Sequence, residues 1–338
     1  MAPLLAGCSS FGYYLQSIDG QMKLLHARRP IAEVIADPAT PPPLKARLER
    51  VLAIRDFASR ELQLPDNLSY RSYADLRRPF VVWNVFATAE FAVEPREWCF
   101  LVVGCVGYRG YFAQARAEAY ARELRGDGLD VFVSGVPAYS TLGWFDDPVL
   151  NTFINYPEHV VSRLIFHELA HQVVYVRGDT EFNESFAAAV ETEGVRRWIA
   201  RNGDDQMRAD FDRTQQRRAQ FRALVLKYRE RLADLYRLPI APEEMRVRKA
   251  QAFSDLQRDY ELLKPRWGGF AGYDRFFDHP NNAHLASVAI YTALVPRFQQ
   301  LIAKHHGDLA AFYAEVKDLA ALGKAERASR LGAVALAR

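Results

Sequence analysis

Val160-Val161-Ser162-Arg163-Leu164-Ile165-Phe166-His167-Glu168-Leu169-Ala170-His171-Gln172-Val173-Val174 is followed, after a short loop, by Asn183-Glu184-Ser185-Phe186-Ala187-Ala188-Ala189-Val190-Glu191. The apolar spacing of the first stretch predicts an amphipathic helix over 158–176, stopped by Gly178. The second predicts a helix over 183–200, stopped by Asn202-Gly203. His167 and His171 are four residues apart, so they share one helix face and can point at one cation, with Glu168 beside them. The rest of that helix is mostly apolar, and a buried polar group without a partner costs about 1–3 kcal/mol. A divalent cation would satisfy the imidazoles; the competing reading is a pair of surface histidines with no metal. The loop 177–182 is long enough to return the chain antiparallel, which sets Glu184 opposite the histidines. Three protein ligands leave a fourth position open for water. The expected set is therefore one zinc ion on His167, His171 and Glu184, with Glu168 as general base.

His-Glu-x-x-His on a helix is the spacing of zinc metallopeptidases. With glutamate as third ligand the chain resembles the gluzincins, and Asn183–Ala187 resembles the Asn-Glu-Gly-Phe-Ala helix of their zinc aminopeptidases. Two departures stand out. The spacing from His171 to Glu184 is shorter than in those enzymes. Ala188 occupies the position where thermolysin-like members carry a histidine-orienting Asp, so Glu191, a turn further on, is the candidate for that role, against a solvent-facing reading.

Outward from this core, helices are expected over 12–27, 30–36, 44–62 and 111–125, and strands over 80–86, 98–103 and 129–133. Segments 206–237 and 242–263 read as an antiparallel helical hairpin at about 206–263, followed by helices over 281–303 and 308–322. The fold class is α+β and predominantly helical, with a small β-sheet from residues 80–145 packed on a zincin-type pair of metal-binding helices. Residues 9–338 read as a single peptidase unit behind a residual signal in 1–8.

Lys plus Arg number 44 and Asp plus Glu 41, a net charge of +3, which makes no case for a nucleic-acid partner. Arginine is dense over 208–237, but Asp210, Asp212, Glu230 and Asp234 interleave, so this reads as a solvated helix face. No apolar run reaches the roughly 18 residues of a spanning helix. Of the three cysteines, Cys8 ends Leu5-Ala6-Gly7-Cys8, the pattern of a bacterial lipobox, although the charged and apolar stretches of a full signal are missing. An ordinary cysteine in a short apolar N-terminus is the alternative. Cys99 and Cys105 would lie about 20 Å apart on one extended strand, too far to bridge. They read as buried thiols unless the chain folds back between them.

Taken together, Cys8, the stretches 104–112 and 138–148, the two zinc helices and Asn281-Asn282-Ala283 resemble a bacterial family of predicted zinc-dependent aminopeptidases, lipoproteins of Gram-negative bacteria. The resemblance covers nearly the whole chain. It implies a peptide substrate, a membrane tether through acylated Cys8, and a place on the periplasmic side of the cell envelope. By analogy with gluzincins, 138–148 becomes a substrate wall in which Tyr139, Ser140, Thr141 and Gly143 meet the peptide; a packed loop that buttresses the zinc helix is the other reading. Arg109 and Tyr111 are candidates to steady the oxyanion, in competition with Tyr139, Tyr291 and His279. Asn281-Asn282 reads as a helix cap. Aminopeptidase action needs a carboxylate to grip the free amine, for which Asp146, Asp147 and Glu181 are candidates. Oligo- or endopeptidase action on the same site, and a non-catalytic zinc-binding envelope lipoprotein, are the alternatives. A fourth protein ligand such as His159 or His279 would mark the last.

Overall fold

The computed structural model describes residues 6–100, 104–290 and 294–333. It is mostly helical with small sheets, an α+β arrangement. In chain order the elements are α1 (Ala6–Ala27), β1 (Arg29–Pro30), α2 (Ile31–Ala36), α3 (Pro42–Leu62), β2 (Ser72–Ala74), β3 (Val82–Thr88), β4 (Trp98–Phe100), β5 (Gly104–Val106), β6 (Arg109–Tyr111), α4 (Gln114–Gly126), β7 (Asp130–Val136) and β8 (Val149–Leu150). Then come α5 (Glu158–Ala170), α6 (Thr180–Asn202), α7 (Asp205–Leu235), α8 (Pro242–Leu263), α9 (Asp274–Phe277), α10 (Asn282–Ile290), α11 (Val295–Lys304), α12 (Leu309–Ala321) and α13 (Lys324–Ala333). Among the described residues no helix is long and apolar enough to cross a membrane.

The main core gathers α3, α5, α6, α11 and α12. Ile54, Phe57 and Ala58 of α3 meet Leu164, Ile165, Phe166 and Leu169 of α5, and Phe186 of α6 packs on Phe298 and Phe312. Several of these side chains are fully enclosed, and burying each contributes roughly 1.5–3 kcal/mol. The two metal-binding candidates α5 and α6 are thereby clamped at the centre of the largest apolar cluster.

A three-stranded antiparallel sheet runs β6-β3-β7. Alternation along β3 divides its faces. Trp83, Val85 and Ala87 meet α4 through Ala117, Ala121 and Leu124. Val82, Asn84 and Phe86 face a large cleft instead. A second, smaller sheet has the order β1-β2-β8. The helices α7 and α8 form the expected hairpin, joined through Leu224, Val225, Tyr228 and Leu232 against Phe253, Leu256 and Tyr260.

Three expectations change. Of the strand expected over 98–103, Trp98–Phe100 forms β4, and β5 pairs antiparallel with it, so Cys99 faces Cys105 with Cα atoms 3.8 Å apart and the two form a disulfide. They are not buried thiols: Cys99 is exposed and Cys105 half-buried. The helix expected over 158–176 stops at Ala170, with His171 as its C-cap. The helix expected over 281–303 is instead two, α10 and α11.

Candidate metal centre and its cleft

The link from α5 to α6 is tied by one side chain. Asn183 accepts from the Val176 amide at 2.7 Å and donates to the Val176 carbonyl at 2.8 Å, so the side chain stands in for a backbone partner. Asp179 caps α6 by accepting from the Phe182 amide, and its carboxylate is held by Arg327 of α13 at 2.7 Å. The closed loop brings α6 back along α5 and sets Glu184 against the two histidines.

His167, His171 and Glu184 each turn one ligand atom to a common point, and these atoms lie within 4.8 Å of one another. Glu184 Oε2 is 3.2 Å from His167 Nε2 and 3.8 Å from His171 Nε2. Two ligands about 2.1 Å from one ion at a tetrahedral angle stand about 3.4 Å apart. The 3.8 Å separation is too long for a hydrogen bond but suits a shared cation, so the donor set fits a metal. Among the described residues no fourth histidine, cysteine or carboxylate joins the group. His159 is two helical turns away against Phe211, and His279 is almost fully exposed beside Asp278.

Glu191, only 1% exposed, takes His167 Nδ1 at 2.9 Å through the same oxygen that accepts from Arg163 at 3.2 Å. Its other oxygen accepts from Arg218 at 3.0 Å. Burial opposes charge on Glu191, but Arg163 and Arg218 outweigh it and hold the carboxyl far below the ordinary range. Burial likewise opposes charge on His167, and the hydrogen-bonded Glu184 and Glu191 overcome it, raising that imidazole. For His171 burial outweighs the nearby charge of Glu184 and pushes it down to about 4, and its Nδ1 has no hydrogen-bond partner among the described residues. Burial, with Glu184 and Asp147 adding to it and His167 opposing, lifts Glu168 to about 8.

The cluster lies in a cleft of about 1210 Å³ between the sheet, α5, α6 and α7. Glu168, Tyr139 and Ser140 line it, as does Leu142. Tyr139 packs edge-on to Phe112 and its hydroxyl has no hydrogen-bond partner among the described residues. Thr141 and Gly143 do not line the cleft. The Thr141 amide and hydroxyl instead bind Asp147, at 2.8 and 2.9 Å, and pin the loop. Gly143 adopts φ +82°, beside Gln172. Wall and buttress are thus divided between neighbouring residues.

The oxyanion candidates on β6 are misplaced for that role. Register pairs Tyr111 with Trp83 and Arg109 with Val85, so both point to the α4 face, and it is Gly110 that borders the cleft. The Arg109 guanidinium lies over Tyr13 at 4.3 Å and Tyr120 at 4.7 Å. Asp146, Asp147 and Glu181 also stay outside the cleft lining. Tyr291 lies outside the described residues, and the side chain of Cys8 is likewise not described. Asn281 caps α10 by accepting from the Ala283 amide at 3.0 Å, while Asn282 binds Tyr236 of α7 at 2.8 Å.

Two tyrosines that sequence reasoning did not single out enter the site. Tyr108 lines the cleft, and burial, with the nearby charge of Glu184, raises its hydroxyl well above the ordinary range. Tyr175 meets His171 edge-on at 6.3 Å, and burial raises it to about 12. Tyr108 lies in the stretch 104–112 that carries the family resemblance, and Tyr175 follows His171 by four residues in the same run; neither was marked by a ligand or catalytic pattern of its own.

A family model described as "Putative aminopeptidase" matches residues 12–331. No curated protein and no solved structure matches the chain.

Proposed function

The chain belongs to the "Putative aminopeptidase" family, which supports a peptidase role, and on that premise we propose that it is a zinc-dependent metallopeptidase trimming short peptides from the N-terminus. The convergence of His167, His171 and Glu184 on one point in the cleft carries this reading. These three residues would hold the ion. The chemistry supplied by zinc there is Lewis acidity toward a carbonyl and toward water. Glu168 takes a proton from the attacking water and returns it to the leaving amine. With an ion held by the three ligands, the raised pKa of Glu168 would fall back, which would suit this carboxylate to accept that proton near neutrality. Glu191 fixes the tautomer of His167 so that Nε2 faces the ion. Tyr139, Tyr108 and Tyr175 are protonated hydroxyls at the cleft and replace Arg109 and Tyr111 as donors to the developing oxyanion.

We place the enzyme on the periplasmic side of a bacterial envelope, tethered by acylated Cys8. The Cys99–Cys105 disulfide supports an oxidising compartment. One observation favours oligo- or endopeptidase action as a second reading: none of Asp146, Asp147 and Glu181 reaches the cleft to grip a free amine. Zinc-loaded protein incubated with paired peptides, one free and one acetylated at the N-terminus, separates the two. Stepwise loss of N-terminal residues from the free peptide alone is expected; equal internal cutting of both would overturn the aminopeptidase assignment.

A further inference from the structure

The cleft carries an excess of positive charge where α5 meets α7. Arg163, Arg218 and Arg222 all line it there. The first two share a single carboxylate, Glu191, which also serves His167. Arg222 stands one turn from Arg218 on the same face of α7 and has no hydrogen bond or ion pair among the described residues. Glu191 is therefore the one carboxylate, among the described residues, that any of these three guanidiniums bonds. Of the other carboxylates of the lining, Glu184 is taken up by the histidine cluster and Glu168 stands beside His167, where its charge reaches Arg163 but not Arg222. Glu193 is taken by Arg196 and Arg197 at 2.8 and 2.7 Å, and exposed Asp212 lies ten residues up the helix, about 15 Å away. Tyr273, stacked on Phe221 at 4.2 Å, closes this end with an aromatic wall. A half-buried guanidinium aimed into a cavity without an anion is costly unless something fills that place. Burial, with Arg218 next to it, already lowers the Arg222 pKa.

We propose that Arg163, Arg218 and Arg222 form a subsite for a carboxylate of the bound peptide, so that the preferred substrates are peptides carrying a free C-terminus or an acidic side chain near the scissile bond. The proposal rests on the peptidase reading above and names its substrate class. The guanidinium fork matches a carboxylate with two parallel hydrogen bonds. Position agrees: a single Glu191 oxygen joins Arg163 to the metal-facing His167, so the subsite begins one side chain from the cluster. A residue of extended peptide covers about 3.3–3.6 Å, which brings a carboxylate one or two residues past the cut bond to these arginines.

Calorimetric titration on the zinc-loaded Glu168→Gln protein, which should cut bound peptide roughly 10²–10⁴-fold more slowly than wild type, tests this. The probes are Ala-Ala-Ala as free acid and as C-terminal amide, and Ala-Ala-Glu-amide against Ala-Ala-Gln-amide. In at least one pair the carboxylate-bearing peptide should bind roughly tenfold to a hundredfold tighter, and which pair does so identifies the source of the carboxylate. Adding Arg222→Met should abolish the preference, and Arg222→Lys should restore part of it. Equal binding within both pairs, a preference that survives Arg222→Met, or no binding of any probe would overturn the subsite. Tight binding of the carboxylate peptide to a protein whose wild-type form cuts nothing would keep the subsite and remove the peptidase reading.

Discussion

Replacing Glu191 by Gln tests how the metal centre is held. The carboxylate is buried and joins three groups, His167 at 2.9 Å, Arg218 at 3.0 Å and Arg163 at 3.2 Å. Glutamine keeps the shape but removes the charge, leaving two guanidiniums facing each other behind His167, one of the proposed ligands. Breaking a buried ion pair by removing one partner costs about 3–5 kcal/mol. Arg163 and Arg218 are 26% and 36% exposed at the side chain, so water relieves part of the loss and the low end, about 3 kcal/mol, is expected. The loss also depends on pH. The Glu191 pKa is depressed by folding, so its contribution is complete above the unfolded value near 4.5 and is lost progressively as pH falls from there through the far lower native value. Urea denaturation of metal-free wild type and Glu191→Gln at pH 7 and pH 3.5 reads both effects: a gap of about 3 kcal/mol at pH 7 that narrows in acid. Zinc affinity, by competition with a chelator, should fall about 10- to 100-fold because His167 loses its orienting partner. Stability within about 0.5 kcal/mol of wild type, together with unchanged zinc affinity, would refute the reasoning.

Other consequences can be measured alongside. Glu184→Ala should lose its metal on dialysis, read by elemental analysis; full occupancy would remove Glu184 from the ligand set. His284 sits against Phe132 at 3.9 Å, and burial, with Arg125 adding to it, holds its pKa down at about 3. Because that value is depressed, the unfolded chain binds the extra proton first, and the contribution of neutral His284 is lost as pH falls below about 6.5. Between pH 7 and 4.5 the wild type should lose about 3 kcal/mol more than His284→Gln, and equal losses would contradict the burial argument. Reducing Cys99–Cys105 opens a short loop and should cost about 2 kcal/mol in the same denaturation assay; an unchanged midpoint would mean the hairpin holds without it.

The α5–α6 pair was legible because its determinants are local. Helical spacing aligned His167 with His171, and the chain had no room to place Glu184 elsewhere. Glu191 was readable for the same reason, two turns along α6 from Glu184. What was hidden depends on pairing between distant strands. The antiparallel pairing of β4 with β5, which sets Cys99 against Cys105, lies in an apolar run that looks like one strand. The register of β6 against β3, invisible in the sequence, decides that Gly110 and not Arg109 or Tyr111 meets the cleft. Arginine density on α7 misled differently. Arg213, Arg231 and Arg237 are paired on the surface as a solvated face requires, but Arg218 and Arg222 turn inward to the cleft. Composition cannot separate the two sets, because only the docking of α7 beside α5 decides which side of that helix meets water.

As proposed, a metal held by His167, His171 and Glu184 works with Glu168 to cut peptide bonds. The most direct test is digestion of a peptide mixture by purified wild-type and Glu168→Gln proteins, each first shown by elemental analysis to carry one zinc per chain, with products read by mass spectrometry. Cleavage by the wild type is expected, with a rate roughly 10²–10⁴-fold lower for Glu168→Gln at unchanged zinc content. Equal rates for the two proteins, or no cleavage by zinc-loaded wild type, would contradict this mechanism.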